Sequence, residues 1–207
     1  DSRKVKKGNI FFALKGTKLD GRKYIQEAIK KGARAIVCSK KINIKNKKVC
    51  FIEVKDVRKE LIYSCKKFFK LKPKNIFAVT GTNGKTSVAE FFYQILSLNN
   101  VPVASIGTLG VKKEKKIKKL NLTSPDIISL HRELEKIKLK KIDNVIIEAS
   151  SHGLHQRRLE GIKFKAGIFT NLSQDHLDYH RSMKNYLNAK MILFTKLLSE
   201  KKYIITD

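Results

Sequence analysis

The chain has 207 residues, 42% of them hydrophobic, which suits one large domain or two small ones with a buried core and excludes an intrinsically disordered chain. The formal net charge is +28, from 46 basic and 18 acidic residues, but 38 of the basic residues are Lys and only 8 are Arg; they are scattered rather than gathered in an arm or interleaved with aromatics, which argues against nucleic-acid readout. No apolar run approaches the roughly 18 residues of a membrane helix, and Cys38, Cys50 and Cys65 form no CxxC pair and are odd in number, which argues against a disulfide framework or a thiolate zinc site and favours a reducing cytoplasm.

In chain order, Asn9–Leu14 reads as a short apolar strand. Gly16 and the Asp20-Gly21 pair mark turns. Tyr24–Lys31 is helical in pattern, with Ile25, Ala28 and Ile29 on one face, and Gly32 stops it. Ala35–Cys38 and Val49–Val54 are further strands. Leu61, Cys65 and Phe68 line one side of a helix that ends before Pro73. Leu71–Lys74 is the expected domain boundary, giving units 1–72 and 73–207. Beyond it strands alternate with helices: strand Ile76–Val79, helix Thr86–Leu98, strand Val101–Ile106, a helix striped by Ile127, Leu130, Leu134 and Ile137, strand Asn144–Ile147, strand Ala166–Thr170, helix Tyr186–Leu198 and strand Tyr203–Ile205. The Lys112–Lys119 stretch reads as an exposed basic hairpin or loop. The expected fold is α/β: a small N-terminal α/β domain, then a phosphate-loop-type, mostly parallel sheet with helices on both faces.

Thr80-Gly81-Thr82-Asn83-Gly84-Lys85-Thr86-Ser87 sits between a buried strand and an amphipathic helix, the context a phosphate loop requires. Gly81 and Gly84 permit a tight turn that brings backbone N–H groups towards phosphate oxygens. The helix N-terminus adds partial positive charge. Lys85 can reach the β- and γ-phosphates, and the Thr86 hydroxyl can hold Mg²⁺. Thr82, Asn83 and Ser87 complete the loop. Val79 stands where the general GxxxxGK[ST] pattern wants its first glycine, so only the shorter GTNGK[ST] is met. A glycine turn with an incidental lysine is the bland alternative, and the strand-loop-helix context disfavours it. Glu148 follows an apolar strand, at the end where open α/β sheets bind ligands; a solvated strand-end Glu is its alternative. Asp175-His176-Leu177-Asp178-Tyr179-His180 is dense in ligand types and, taken alone, suggests a metal-dependent hydrolase, which would leave the phosphate loop unexplained.

GTNGKTS after an apolar strand resembles the nucleotide loop of the Mur ligases, ATP-dependent amide ligases of peptidoglycan precursor synthesis. Asp1-Ser2-Arg3, Gly8–Ala13 and Asp20-Gly21 are similar to that family's N-terminal, UDP-sugar-binding domain. Glu148–Leu154 looks like its acidic strand end. Phe169–His180, with Tyr186 and Ala189-Lys190, is similar to the branch that adds the third residue of the stem peptide. The resemblance covers nearly the whole chain. It implies ATP and Mg²⁺ as cofactors, UDP-MurNAc-dipeptide and a diamino acid (meso-diaminopimelate or L-lysine) as partners, and an acyl-phosphate intermediate; a monomer is expected, with no nucleic-acid partner and no membrane span. It also implies a further C-terminal domain, so the sequence, which has no initiator Met, reads as an inactive fragment.

Residue by residue, the resemblance implies Lys85, His176 and Lys190 as catalytic. It gives Thr86, Glu148, His176 and a carbamylated Lys190 (N6-carboxylysine) as the Mg²⁺ set, although Mg²⁺ ordinarily prefers oxygen over imidazole. Carbamylation needs a neutral amine, hence a lowered lysine pKa. Asp178 and His180 fit structural hydrogen bonding as well as ligation. Ser2 and the turn Thr17-Lys18-Leu19 would contact the UDP portion. Thr123, Ser124, Ser150, Gln156 and Arg158 would hold the muramoyl-peptide, the Arg158 fork suiting a carboxylate or phosphate. Two positions depart from the family pattern: Leu122 where Asn is common, and Ser124 where Thr is usual. Another member of the superfamily, such as a folylpolyglutamate synthetase, and a nucleotide-binding module without ligase activity are the competing readings.

Overall fold

A computed structural model describes residues 1–16, 19–39, 48–114, 116–120, 122–198 and 203–206. The chain divides into two compact units, Asp1–Ser64 and Cys65–Asp207.

The N-terminal unit holds a parallel sheet of β1 (Ile10–Phe12), β2 (Ala35–Cys38) and β3 (Cys50–Glu53), in that order. Asp20 caps a 3-10 turn over Gly21–Tyr24, accepting from the Arg22 N–H, and α1 (Ile25–Lys30) continues from it. Ile25 and Ala28 of α1 pack with Phe11, Ala13, Ala33, Ile36 and Cys38 to form a small core. Helix α2 (Val57–Phe68) leads out of this unit. Its buried positions are Val57, Leu61, Ile62, Cys65 and, just past its end, Phe69. Phe68 is 79% exposed, so the expected stripe is corrected by one residue at its end. Positions 61, 65 and 69 are spaced by four throughout, and adjacent helical residues point about 100° apart.

The second unit is a seven-stranded sheet in the order β10-β9-β4-β8-β5-β6-β7. β4 (Asn75–Thr80), β5 (Val103–Gly107), β8 (Asn144–Glu148), β9 (Ala166–Phe169) and β10 (Tyr203–Thr206) run parallel. β6 (Gly110–Lys113) and β7 (Lys116–Lys118) add an antiparallel edge, which accounts for the basic stretch expected as a hairpin. β5 starts two residues later than expected, because Pro102 lacks the N–H that a ladder needs.

Alternation along the central strands sends side chains to two cores, as a sheet covered on both faces requires. Val79 and Ile146 pack with Ala89 of α3 (Lys85–Leu98) on one face. Ile76, Ala78, Val145 and Ile147 pack on the other with Leu130, Leu134 and Ile137 of α4 (Ile127–Leu139), with Leu154 of α5 (Ser151–His155), and with Leu193 beyond α7 (Met183–Ile192). Two short helices, α5 and α6 (Leu177–His180), occupy segments where no helix is expected from the sequence. The helix expected over Tyr186–Leu198 begins earlier, at Met183 behind the cap Ser182, and its last turn, Leu193–Leu197, widens to a π-helix.

The connection after β4 leaves on the α3 face and that after β8 on the α5 face. Two neighbouring parallel strands whose connections part in this way leave a crevice at their carboxyl ends. Thr80 and Glu148 end the two strands there. His131 of α4 is fully buried, with neither ring nitrogen hydrogen-bonded among the described residues. Burial, with the Lys72 charge second, lowers its pKa to about 4 and keeps it neutral.

Candidate active site

The crevice is a cleft of about 290 Å³ lined by Gly81 to Ser87, Thr108, Thr123, Ser150, Ser151, His176, Tyr186 and Lys190. Segments far apart in sequence meet there because parallel strands deliver all their carboxyl ends to one edge.

Its floor is the loop between β4 and α3. Gly81 has φ 143° and Gly84 has φ 80°, both in the region that L side chains avoid. A Cβ at Gly81 would overlap the Thr170 hydroxyl. The segment after β9 braces the loop: Thr82 N–H donates to Asn171 O (3.0 Å), Asn83 N–H to Asn171 Oδ1 (2.9 Å), and Thr170 Oγ1 to Asn83 O (2.6 Å). Tyr186 OH donates to Thr82 Oγ1 at 3.3 Å. Gly84, at the N-cap of α3, supplies no side-chain acceptor, so the N–H groups of the first turn face the cleft as an anion seat.

Two lysines converge on this loop. Lys85 Nζ donates to Gly81 O (3.0 Å) and Thr82 O (2.7 Å). Lys190 Nζ donates to the same Gly81 O (2.6 Å) and lies 4.1 Å above the Tyr186 ring. Burial lowers the Lys85 pKa, opposed by the Glu148 and Asp175 charges. Lys190 is 1% exposed; burial first, and the neighbouring Lys85 charge second, bring its pKa down to about 7. While Lys190 is protonated, two like charges share one carbonyl, an arrangement that an anion between them would relieve.

Glu148 is 2% exposed. Its Oε2 accepts from Thr86 Oγ1 (2.9 Å) and Thr108 Oγ1 (3.0 Å), and its Oε1 from Thr108 N–H (2.9 Å). All three donors are neutral. A buried carboxylate with only neutral donors, next to a hydroxyl, fits a hard cation such as Mg²⁺ in its donor chemistry. Among the described residues no cluster of three or more His, Cys, Asp or Glu side chains forms a metal site by itself, so further ligands would come from other groups.

His176 stands at the mouth, in left-handed conformation (φ 52°), with its Nδ1 3.4 Å from Asp175 Oδ1. Four of the chain's five histidines gather here: His152 faces His176 and His180 edge-on, and His155 packs against Tyr179 and His180. His180 is buried and its Nε2 pairs with Ser151 Oγ at 3.0 Å; burial, then His152, lowers its pKa to about 4. Asp178 is exposed on α6.

Thr123 and Ser150 line the cleft. Ser124 is buried, donating from Oγ to Glu148 O (2.9 Å) and accepting from Ser150 N–H (3.0 Å), so its hydroxyl ties two loops together. Arg158 donates to Ser124 O (2.9 Å) and to Gln156 Oε1, and Gln156 Nε2 to Tyr179 OH (3.1 Å). Gln156 and Arg158 thus join the site through Ser124 and Tyr179, outside the cleft lining. Exposed Leu122 flanks Thr123. Ser2 and Leu19 belong to the N-terminal unit: Ser2 Oγ donates to Glu27 Oε2 (2.7 Å), and Leu19 is exposed. Thr17 and Lys18 lie outside the described residues. Sequence reasoning missed the braces Thr170 and Asn171, and it missed Thr108. The only signal was their place just after strand ends.

Fold and cleft together define a phosphate-loop α/β protein with its ligand crevice at the carboxyl edge of a mostly parallel sheet. Residues 79–207 match the model of the Mur ligase middle domain, and residues 1–76 that of the Mur ligase family catalytic domain. The chain belongs to the Mur ligase family. It is 45% identical over 198 residues to UDP-N-acetylmuramoyl-L-alanyl-D-glutamate–2,6-diaminopimelate ligase of Brucella melitensis, covering 96% of this chain and 41% of that one. A solved structure of a ligase of the same name matches with a TM-score of 0.81 and 32% identity, over 96% of this chain and 41% of that one. MurF ligase from Thermotoga maritima, solved in complex with ADP, matches with a TM-score of 0.63 at 20% identity, over 100% of this chain and 44% of that one, a likeness of fold alone. The chain therefore spans about two-fifths of the length of these relatives. No helix among the described residues is long and apolar enough to cross a membrane.

Proposed function

We propose that the chain is the ATP-activating part of a ligase that joins 2,6-diaminopimelate to UDP-N-acetylmuramoyl-L-alanyl-D-glutamate. The observation that carries this reading is the convergence, in one cleft, of the Lys85 and Lys190 amines on Gly81 O with the Thr86–Glu148 pair beside them. The diamino acid is proposed from the names of the relatives.

ATP would lie with its phosphates against the loop. The N–H groups of the first turn of α3 and the Lys85 ammonium would leave the loop carbonyls for the β- and γ-oxygens. Thr86, Glu148, His176 and a carbamylated Lys190 would hold Mg²⁺, which when bound supplies positive charge against the phosphates. A buried amine with a pKa of about 7 is largely neutral above that pH and can attack CO₂. The γ-carboxylate of the acceptor would attack the γ-phosphorus, releasing ADP and leaving an acyl phosphate. The amine of the diamino acid would then attack the acyl carbon, and phosphate would leave. Thr123 and Ser150, with Arg158 held by Gln156, would orient the muramoyl-peptide. Ser2, Thr17, Lys18 and Leu19 would serve the UDP portion. The enzyme would work in the cytoplasm as a monomer.

The full-length protein is expected to consume ATP only when both the UDP-linked dipeptide and diaminopimelate are present. ATP hydrolysis indifferent to either would sink the ligase reading.

A further inference from the structure

The turn between β5 and β6 touches the cleft, yet neither the phosphate loop nor the acceptor contacts proposed above account for its construction. Thr108 holds both oxygens of one carboxylate: its N–H donates to Glu148 Oε1 at 2.9 Å and its Oγ1 to Oε2 at 3.0 Å. Residue 107 before it is glycine, and a Cβ there would overlap the Glu148 carboxyl group. Gly110 closes the turn at φ 108°, where a Cβ would overlap the backbone of Lys118. The turn is thus shaped around the carboxylate, with space cleared on one side and two donors aimed from the other. Thr108 Oγ1 also lies 3.2 Å from Thr123 Oγ1, and Thr123 lines the cleft and is one of the acceptor contacts proposed above.

A two-donor grip fixes the plane of a carboxylate, which a single hydrogen bond leaves free to turn about its axis. Thr86 contributes one further bond to the same Oε2. If the Thr86 hydroxyl turns to a cation, Thr108 is the remaining hydrogen-bond partner of the Glu148 carboxylate among the described residues. Partners that orient a metal-bound carboxylate govern affinity nearly as strongly as the ligand itself.

We propose that Thr108 is a positioning residue that fixes Glu148 for a divalent cation and, through Thr123, links that cation seat to the acceptor side of the cleft. The proposal rests on the reading of Glu148 as a cation ligand. Its balance is purely of hydrogen bonds: the Thr108 hydroxyl gives its proton to Glu148 and its lone pair to Thr123.

The test is Mn²⁺ binding, followed by electron paramagnetic resonance in the presence of ADP, on wild type, Thr108→Val, Thr108→Ser and Glu148→Gln. Thermal melting confirms that each variant is folded. Thr108→Val keeps shape and backbone N–H but loses the hydroxyl, and is expected to weaken Mn²⁺ about tenfold. Thr108→Ser restores the hydroxyl and is expected to stay within about twofold of wild type. ADP affinity without metal is expected to be equal in wild type and both Thr108 variants. Wild-type Mn²⁺ affinity in Thr108→Val, or an equal loss in Thr108→Ser, would overturn the positioning role. Wild-type affinity in Glu148→Gln would instead overturn the reading of Glu148 itself. If Thr108→Val does not fold, Thr108→Ala carries the same expectation, because it too loses only side-chain atoms.

Discussion

Lys85→Ala is expected to lower ligase turnover by at least about a thousandfold, and to remove measurable ATP binding at micromolar protein. The size of the effect follows from position. Lys85 is half-buried on the first turn of α3, and among the described residues its ammonium donates to two carbonyls of its own loop. Those are weak partners for a cation that burial already disfavours. A triphosphate offers full negative charge at the same place, so the gain on binding is large and Ala forfeits all of it. The variant should fold, because Asn171 and Thr170 still brace the loop once the two Lys85 bonds are lost. Equilibrium binding of a fluorescent ATP analogue, with turnover measured on the full-length protein, checks both statements. Retained affinity would show that the phosphates sit elsewhere.

Lys190→Ala is expected to cost about a hundredfold to a thousandfold in turnover, with a smaller loss in nucleotide binding. Lys190→Arg should fare no better, since guanidinium does not form the carbamate. The pH dependence has a definite sign. A lysine with its pKa lowered to about 7 is mostly neutral at pH 8 and mostly protonated at pH 6, and only the neutral amine takes up CO₂. Wild-type activity should therefore fall as pH drops through about 7, and added bicarbonate should raise it near that pH. Lys190→Ala should show neither response. Carbon-13 NMR with labelled bicarbonate detects the carbamate directly. Full activity of Lys190→Ala, without a carbamate signal in wild type, would remove the role.

Much of this cleft was legible in the sequence, and the reasons differ by residue. The loop Gly81 to Ser87 could be found because its chemistry is local: strand, glycines, lysine and helix follow one another without a gap. Glu148 could be placed because an apolar strand points its carboxyl end at the ligand edge of a parallel sheet. Lys190 is a harder case, since most helix lysines are solvated. The spacing nonetheless holds the clue: Tyr186, Ala189, Lys190 and Leu193 stand at i, i+3, i+4 and i+7 and are all buried, so the lysine lies on the inward stripe of α7. What escaped the sequence is what depends on pairs far apart. Thr108 meets Glu148 across 40 positions, and Asn171 meets Asn83 across 88. No local pattern encodes such meetings. Helices α5 and α6 escaped for another reason: at five and four residues they are too short to display a helical period. The one-residue slip at Phe68 and Phe69 is the same lesson at a helix end, where two adjacent aromatics compete for one buried position.

The proposed activation of a carboxylate by phosphorylation in this cleft is tested directly by oxygen tracing. UDP-MurNAc-dipeptide labelled with ¹⁸O in the glutamate γ-carboxylate is turned over with ATP and diaminopimelate by the full-length protein, and the released phosphate is analysed by mass spectrometry. An acyl phosphate leaves one carboxylate oxygen on the phosphorus, so the account predicts one ¹⁸O in each phosphate released. Phosphate without the label, alongside amide product, would contradict it.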